Sequence, residues 1–153
     1  DLTNINYISK EDYIKINERS KVDKGDILFA MIGTIGNPIV VEMTPNFAIK
    51  NVALFKVPKS QNNYFLKYYL SSKLVKEKME ADSKGSTQKF VGLGYLRNFG
   101  ICLPHLSEQK RIVAKLDALS EQTKKLEAVY SKKIADLEEL KKSVLQKAFK
   151  GEL

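Results

Sequence analysis

Between Ser83 and Lys89 the chain reads Ser-Lys-Gly-Ser-Thr-Gln-Lys, a run whose side chains could grip a polyanion. Lys84 and Lys89 supply charge for phosphates, Ser86 and Thr87 small hydroxyls, and Gly85 room for close backbone approach; the Gln88 amide can read adenine bidentately. Two further polar clusters offer similar chemistry: Arg19, Lys21 and Lys24 ahead of a Gly25-Asp26 turn, and Lys50 beside Asn51. Lys, Ser and Gly are ordinary surface residues too, so each of these clusters can equally be read as solvated loop. What separates 83–89 from a bland loop is that phosphate-seeking and base-reading groups occur together.

Other motifs carry less. Phe90-Val91-Gly92-Leu93-Gly94 has the F-x-G-x-G form with which adenine methyltransferases hold S-adenosylmethionine, yet it follows a polar loop rather than a strand. No Asn-Pro-Pro-Tyr or Asp-Pro-Pro-Tyr segment is present to hold a flipped adenine. Its glycines are read as permitting tight turns. Gly33-x-x-Gly36 is not followed by Gly-Lys-Ser/Thr or by a helical pattern, and it reads as a hairpin turn rather than a phosphate loop. The single cysteine, Cys102, and the single histidine, His105, lie three apart; two ligands make a poor metal site, and one histidine removes most Ser-His-Asp schemes. Glu77, Glu80 and Asp82 are interleaved with Lys76, Lys78 and Lys84, which describes a charge-balanced solvated face rather than a carboxylate pair. No nucleophile, general base or cofactor loop emerges.

Two kinds of periodicity position these groups, and the change falls at Leu103-Pro104. Ahead of it, Ser9 with Asp12 caps a short helix, and Lys24-Gly25-Asp26 turns into a buried strand over 27–32. Ile39-Val40-Val41 and Val52-Ala53-Leu54-Phe55 supply two more strands, joined by links short enough for antiparallel pairing. Residues 63–82 adopt helical spacing, with Tyr64, Phe65, Tyr68, Leu74, Val75 and Met79 toward one side. Phe99-Gly100-Ile101-Cys102-Leu103 is a last strand candidate, so residues 1–104 form an α+β globular domain.

From Ser107, read as an N-cap, to Lys150 there is no Gly or Pro across 44 positions. Ile112, Leu116, Leu119, Thr123, Leu126, Tyr130, Leu137, Leu140 and Val144 recur at mostly alternating steps of four and three, the seam of a coiled coil, with a slip at Lys132-Lys133 before Ile134. At about 1.5 Å per residue such a helix is about 65 Å long, too long to bury its stripe against one small globule. Residues 105–153 therefore need a partner helix, and Gly151 fits the stop.

The 153 residues are 43% hydrophobic and 29% charged, which argues against bulk disorder, and no apolar run approaches the roughly 20 residues of a membrane span. The 26 Lys and Arg outweigh 18 Asp and Glu, giving +8 and pointing to a polyanionic partner. Residues 1–104 hold 15 basic and 10 acidic side chains and residues 105–153 hold 11 and 8, so both parts are basic. Without a signal-peptide pattern, a reducing cytoplasm is the expected compartment. Asp1-Leu2-Thr3-Asn4 lacks an initiator Met and reads as the interior of a longer protein.

Gly85-Ser86-Thr87, together with Leu103-Pro104-His105-Leu106-Ser107-Glu108-Gln109-Lys110-Arg111-Ile112-Val113, resembles the junction of recognition domain and long helix in specificity (S) subunits of type I restriction-modification systems. Lys24-Gly25-Asp26-Ile27-Leu28 is similar to a framework strand of that family, and Gln146-Lys147-Ala148-Phe149-Lys150-Gly151-Glu152-Leu153 to its C-terminal ending. His105 departs from the pattern, standing where the family commonly has a second proline.

The resemblance implies a non-catalytic subunit with one DNA target-recognition domain, incomplete at its N-terminus, and one dimerisation and spacer helix. It implies double-stranded DNA as ligand, methyltransferase (M) and restriction (R) subunits as partners, and a second S-type helix, from a homodimer or from the other half of S. S-adenosylmethionine and ATP would be used by those partners, with no cofactor or metal on this chain. The candidate DNA contacts are Arg19, Lys21, Lys24, Lys50, Asn51, Lys84, Ser86, Thr87, Gln88 and Lys89. Two alternatives compete with this reading: a coiled-coil scaffold with a non-specific basic surface, and a standalone adenine methyltransferase using residues 90–94.

Overall fold

A computed structural model describes residues 6–84 and 89–152, and it divides into two compact units, Asp1–Val113 and Ala114–Leu153. The first opens with α1 (Lys10–Ser20), whose N-cap Ser9 accepts the Asp12 backbone N–H at 3.0 Å, as the capping pair predicts. Three strands follow, β1 (Ile27–Ala30), β2 (Gly36–Val40) and β3 (Val52–Phe55), in the order β2-β1-β3 with both pairings antiparallel. Ile27 and Phe29 of β1 point into the core, while a register break between Leu28 and Ala30 bends the strand against β2.

Helices α2 (Asn63–Ser71) and α3 (Lys73–Ala81) cover the sheet with Phe65, Leu70, Val75 and Met79. The single helix expected over 63–82 is interrupted at Ser72. Its extended backbone ends α2 through an N–H bond to the Tyr69 carbonyl, and its hydroxyl accepts the Val75 N–H to start α3. That break shifts the helical phase, so Leu74, expected on the apolar side, stands 76% exposed. A short α4 (Leu93–Arg97) adds Leu96 to the core of Phe29, Ile35, Ala53, Leu70 and Met79.

Phe99–Leu103 is not a strand. It pairs with no strand among the described residues, and Phe99, Ile101 and Leu103 instead line an apolar groove of about 540 Å³ together with Leu54 and Phe55 of β3. Alternation gave that segment a strand pattern without a ladder partner.

Helix α5 runs for 45 residues, Leu106–Lys150. It starts two residues earlier than an N-cap at Ser107 predicts, because the His105 carbonyl accepts the N–H groups of Glu108 and Gln109, and the His105 ring, 2.9 Å from the Ser107 hydroxyl, faces the free first turn. Its opening turns belong to the first compact unit: Val113 is buried, and Gln109 is wholly buried with its amide fully used. Gln109 Nε2 donates to Gln61 Oε1 at 2.6 Å and to the Pro104 carbonyl at 2.7 Å, and its Oε1 accepts the Asn62 N–H at 2.9 Å. Asn62 is itself the N-cap of α2.

In the second unit the apolar stripe is bare. Leu119, Leu126, Tyr130, Leu137, Leu140 and Val144 are exposed, from 44% at Val144 to 64% at Leu137, while Ile112 and Leu116, nearer the helix start, are half-buried. Thr123 satisfies its hydroxyl on the Leu119 carbonyl, so this polar member of the stripe carries no unmet donor. The helix ends in a Schellman motif at Gly151 (φ +71°), with Gly151 N–H on Ala148 and Glu152 N–H on Lys147.

Replacing Gln109 by Ala strands the Asn62 N–H and the Pro104 carbonyl and opens a cavity, at a cost of about 2–4 kcal/mol. Gln109→Glu keeps the acceptor for Asn62 but loses both donated bonds, and is expected to be destabilising as well. Urea titrations followed by tyrosine fluorescence measure both; midpoints equal to that of the parent chain would show that the amide contributes nothing.

Candidate nucleic-acid interface

The 83–89 run begins where α3 ends. Asp82, the C-cap of α3, accepts the Tyr95 hydroxyl at 2.8 Å and the Lys78 ammonium at 3.3 Å, and Ser83 donates back to the Glu80 carbonyl. Burial, and then the hydrogen bond to Asp82, push the Tyr95 phenol up to about 12; the same bond, with Lys78, holds the Asp82 carboxyl below its usual range. The start of the loop and α4 are thereby tied together.

The base of the loop is closed by backbone pairing. Lys84 and Phe90 exchange N–H···O bonds of 3.0 and 2.9 Å, and Phe90 bridges to Ile32 just beyond β1. The Gly33 N–H reaches the Lys89 carbonyl and the Val91 N–H the Met31 carbonyl. Hence the loop and the Gly33-Gly36 turn, which are remote in sequence, form one edge, with Lys84, Lys89 and Thr34 exposed along it. Gly33 (φ +74°) and Gly36 (φ +113°) take left-handed conformations in the link between β1 and β2, as the hairpin reading requires. Ser86, Thr87 and Gln88 lie outside the described residues. Ile32 and Phe90 leave apolar surface beside the lysines, a feature that the sequence reading missed because their bridge is a long-range contact.

The F-x-G-x-G segment contributes to this framework: Val91 is core and Gly92 is the N-cap of α4. The expectation that its glycines serve tight turns is not met, since neither Gly92 nor Gly94 has a positive φ and a Cβ at either would meet open space.

The second basic cluster divides. Arg19, in the last turn of α1, and Lys21 line a groove of about 440 Å³ with Asp23, Lys56 and Arg97. Lys24, Lys50 and Asn51 are exposed but do not line it; Asn51 holds a left-handed backbone (φ +63°) just ahead of β3. Lys56 and Arg97 were not legible as site residues, because only the pairing of β3 with β1 and the placing of α4 bring them here. Lys56 Nζ lies 2.6 Å from Asp26 Oδ2 and 2.8 Å from Asp23 Oδ2, and Lys21 approaches Asp23 at 3.4 Å. The hydrogen bond from Lys56 holds the Asp23 carboxyl below its ordinary 3.8, against a smaller cost of desolvation and with help from Lys21. For Lys56 burial opposes the charge, and bonds to Asp23 and Asp26 outweigh it, so its ammonium is held above the usual lysine value.

The family model of the type I restriction modification DNA specificity domain matches residues 1–139. The chain belongs to that family. It is 32% identical over 155 aligned positions to the type I restriction enzyme EcoBI specificity subunit of Escherichia coli, an alignment covering all of this chain and 32% of that protein. A solved structure described as the structural basis underlying complex assembly and conformational transition of the type I R-M system aligns with a TM-score of 0.69 and 29% identity, over 86% of this chain and 32% of that one. The chain thus spans about a third of the length of these relatives.

In this specificity-domain fold, three of the residues that carried the resemblance are joints. Gly25 (φ +94°) bonds to the Val41 carbonyl, Asp26 is buried on Lys56, and Gln109 anchors the start of α5. The Asp23–Lys56 pair gives a pH signature with a definite sign. A carboxyl whose folded pKa is depressed stabilises the fold above its ordinary value, and that contribution is lost as pH falls through the folded pKa. In Lys56→Gln, which can still donate to Asp26 but carries no charge, the Asp23 titration midpoint should move up toward 3.8 when followed by carboxyl-carbon NMR. An unmoved midpoint would show that the pair is not formed in solution.

Proposed function

We propose that this chain is a DNA sequence-recognition module of a type I restriction-modification enzyme and does no chemistry itself. Residues 1–104 read one half of a bipartite DNA site. Residues 105–153 form the spacer helix, which pairs with a second S-type helix, from another copy or from the other half of an S subunit, and docks the M subunits. In this assignment the M subunits use S-adenosylmethionine to methylate an adenine, and an ATP-driven R subunit cleaves. The compartment is the prokaryotic cytoplasm, and no described helix is long and apolar enough to cross a membrane.

The observation that carries the reading is the stitched edge: a lysine-bearing loop closed at its base by Lys84 and Phe90 and fastened to a glycine turn. A closed base limits the entropy that the loop loses on binding, so lysines can engage phosphates while the tip meets base edges. Family membership and the net charge of +8 support the same partner. The bare stripe of α5 supports pairing, since an isolated helix gains little from an apolar face left in water.

Two measurements test this. Lys84→Ala and Lys89→Ala should each weaken binding to every DNA sequence and reduce the salt slope of log K by about 1, whereas Gln88→Ala should relax selectivity at one base pair by about 1–3 kcal/mol. Fluorescence anisotropy across a salt series reads the first effect, and mapping of methylated adenines in cells that carry the M subunit reads the second. If the triple variant binds as before and the methylated sequence is unchanged, the loop is not the reader.

On the helix, Leu119→Glu with Leu126→Glu should convert a self-associated chain to monomer in sedimentation velocity. A double variant that sediments like the parent assembly would place the pairing surface elsewhere.

A further inference from the structure

The chain has three arginines, and they are not equivalent. Arg111 is spent within α5, its guanidinium held by Glu108 in a two-pronged pair of 2.6 and 2.8 Å. Arg19 and Arg97 form no ion pair among the described residues, and both line the same groove of about 440 Å³ although 78 positions separate them in sequence. Each sits in the last turn of its helix, where the helix dipole favours a cation. The dipole explains the position of each arginine on its own helix, but it gives no reason for two unrelated helix ends to deliver arginines to one groove.

The rest of the groove accounts for its charge. Of its two carboxylates, Asp23 is already engaged by Lys56 and Lys21, which leaves Glu18, the neighbour of Arg19, against two arginines. Four cations and two carboxylates line the cavity, a surplus of positive charge beside Asn17, Ser20 and the apolar Ile49, Val52, Leu54 and Leu93. The planar fork of a guanidinium matches a phosphate better than an ammonium does. The backbone that carries Arg97 is also fixed: Tyr95, two residues earlier, donates to Asp82 and packs on Phe99 at 5.7 Å between ring centroids.

We infer that Arg19 and Arg97 form a phosphate-binding groove that takes the DNA backbone, distinct in its residues from the Lys84–Lys89 loop. This inference rests on the DNA-recognition reading and deepens it. The loop carries base discrimination, and the arginine groove carries sequence-independent affinity and register. Lys21 and Lys56 neutralise Asp23, and Lys56 the buried Asp26 as well, so that a phosphate in the groove meets the two arginines rather than Asp23.

The test uses the full 153-residue chain and a fluorescein-labelled random-sequence duplex, with dissociation constants measured by anisotropy over a salt series. Arg19→Gln and Arg97→Gln keep much of the side-chain length, and each should lower the slope of log K against log salt by about 1, with about 2 lost in the double variant. Arg19→Lys and Arg97→Lys should restore most of the slope, and Lys59→Ala, an exposed turn lysine outside the groove, should leave binding near the parent value. Circular dichroism of each variant confirms the fold. A double Gln variant with the parent slope overturns the groove while leaving DNA recognition by the loop intact. An equal loss of slope in Lys59→Ala overturns it too, since the effect would then be one of general charge. A parent chain that binds no duplex at low salt removes the DNA reading itself and the groove with it.

Discussion

The starts of α2 and α5 depend on one buried amide. Gln109 lies in the second turn of α5 and has no contact with water, yet its donors and acceptor are all met by the chain: Gln61, Asn62 and Pro104. An apolar side chain in that place would fill the volume and leave the Asn62 N–H and the Pro104 carbonyl buried without partners, which is why a polar residue is required. Because Asn62 also caps α2 with its own side chain, the start of the long helix, the start of α2 and the end of the Leu103-Pro104 link share one network. Removing any member penalises the other two.

A second clamp works on the opposite kind of chemistry. Asp26 is buried, and its carboxylate is held by the Lys56 ammonium and by the Asp23 backbone N–H at 2.7 Å. Lys56 follows β3 and Asp26 precedes β1, so the pair fastens the paired strands at the Phe55–Ile27 end of their ladder. Lys56 is half exposed and only Asp26 is buried, so the pair offers little net stability, but it rejects registers that would leave the buried carboxylate alone. In a three-stranded sheet with four- and five-residue strands, that selection of register has value.

The α+β class, the three strands, the hairpin and the long helix were legible in the sequence because each is written in local signals: alternation, turn glycines, a capping serine, a heptad-like seam. Local signals also misled. Phe99–Leu103 has the alternation of a strand, and alternation cannot tell whether a neighbour will be there to pair. Ser72 looks like an unremarkable helix residue until its hydroxyl is seen capping α3, and Leu74 was misplaced with it. Of the candidate contacts, those on contiguous residues were visible, whereas Lys56, Arg97, Ile32 and Phe90 join the surface only through long-range pairing. Family resemblance was legible for a further reason: three of its residues sit at joints, where a left-handed glycine, a buried aspartate and a buried amide leave few substitutes.

The joints and the proposed DNA contacts fall on different parts of the chain. Gly25 is held by Val41, Asp26 by Asp23 and Lys56, and Gln109 by Gln61, Asn62 and Pro104, and none of these partners lies in the 83–89 run. That loop is bounded by a reciprocal backbone pair between Lys84 and Phe90, and a backbone pair imposes no requirement on what lies between. The described core of Phe29, Leu70, Met79 and Leu96 is built from residues outside this bracket. The same bracket fixes the exposed Ile32–Phe90 bridge next to Lys84 and Lys89. In the proposed reading such a division separates stability from specificity, because the backbone groups of Lys84 and Lys89 hold the fold while their side chains are left to the ligand.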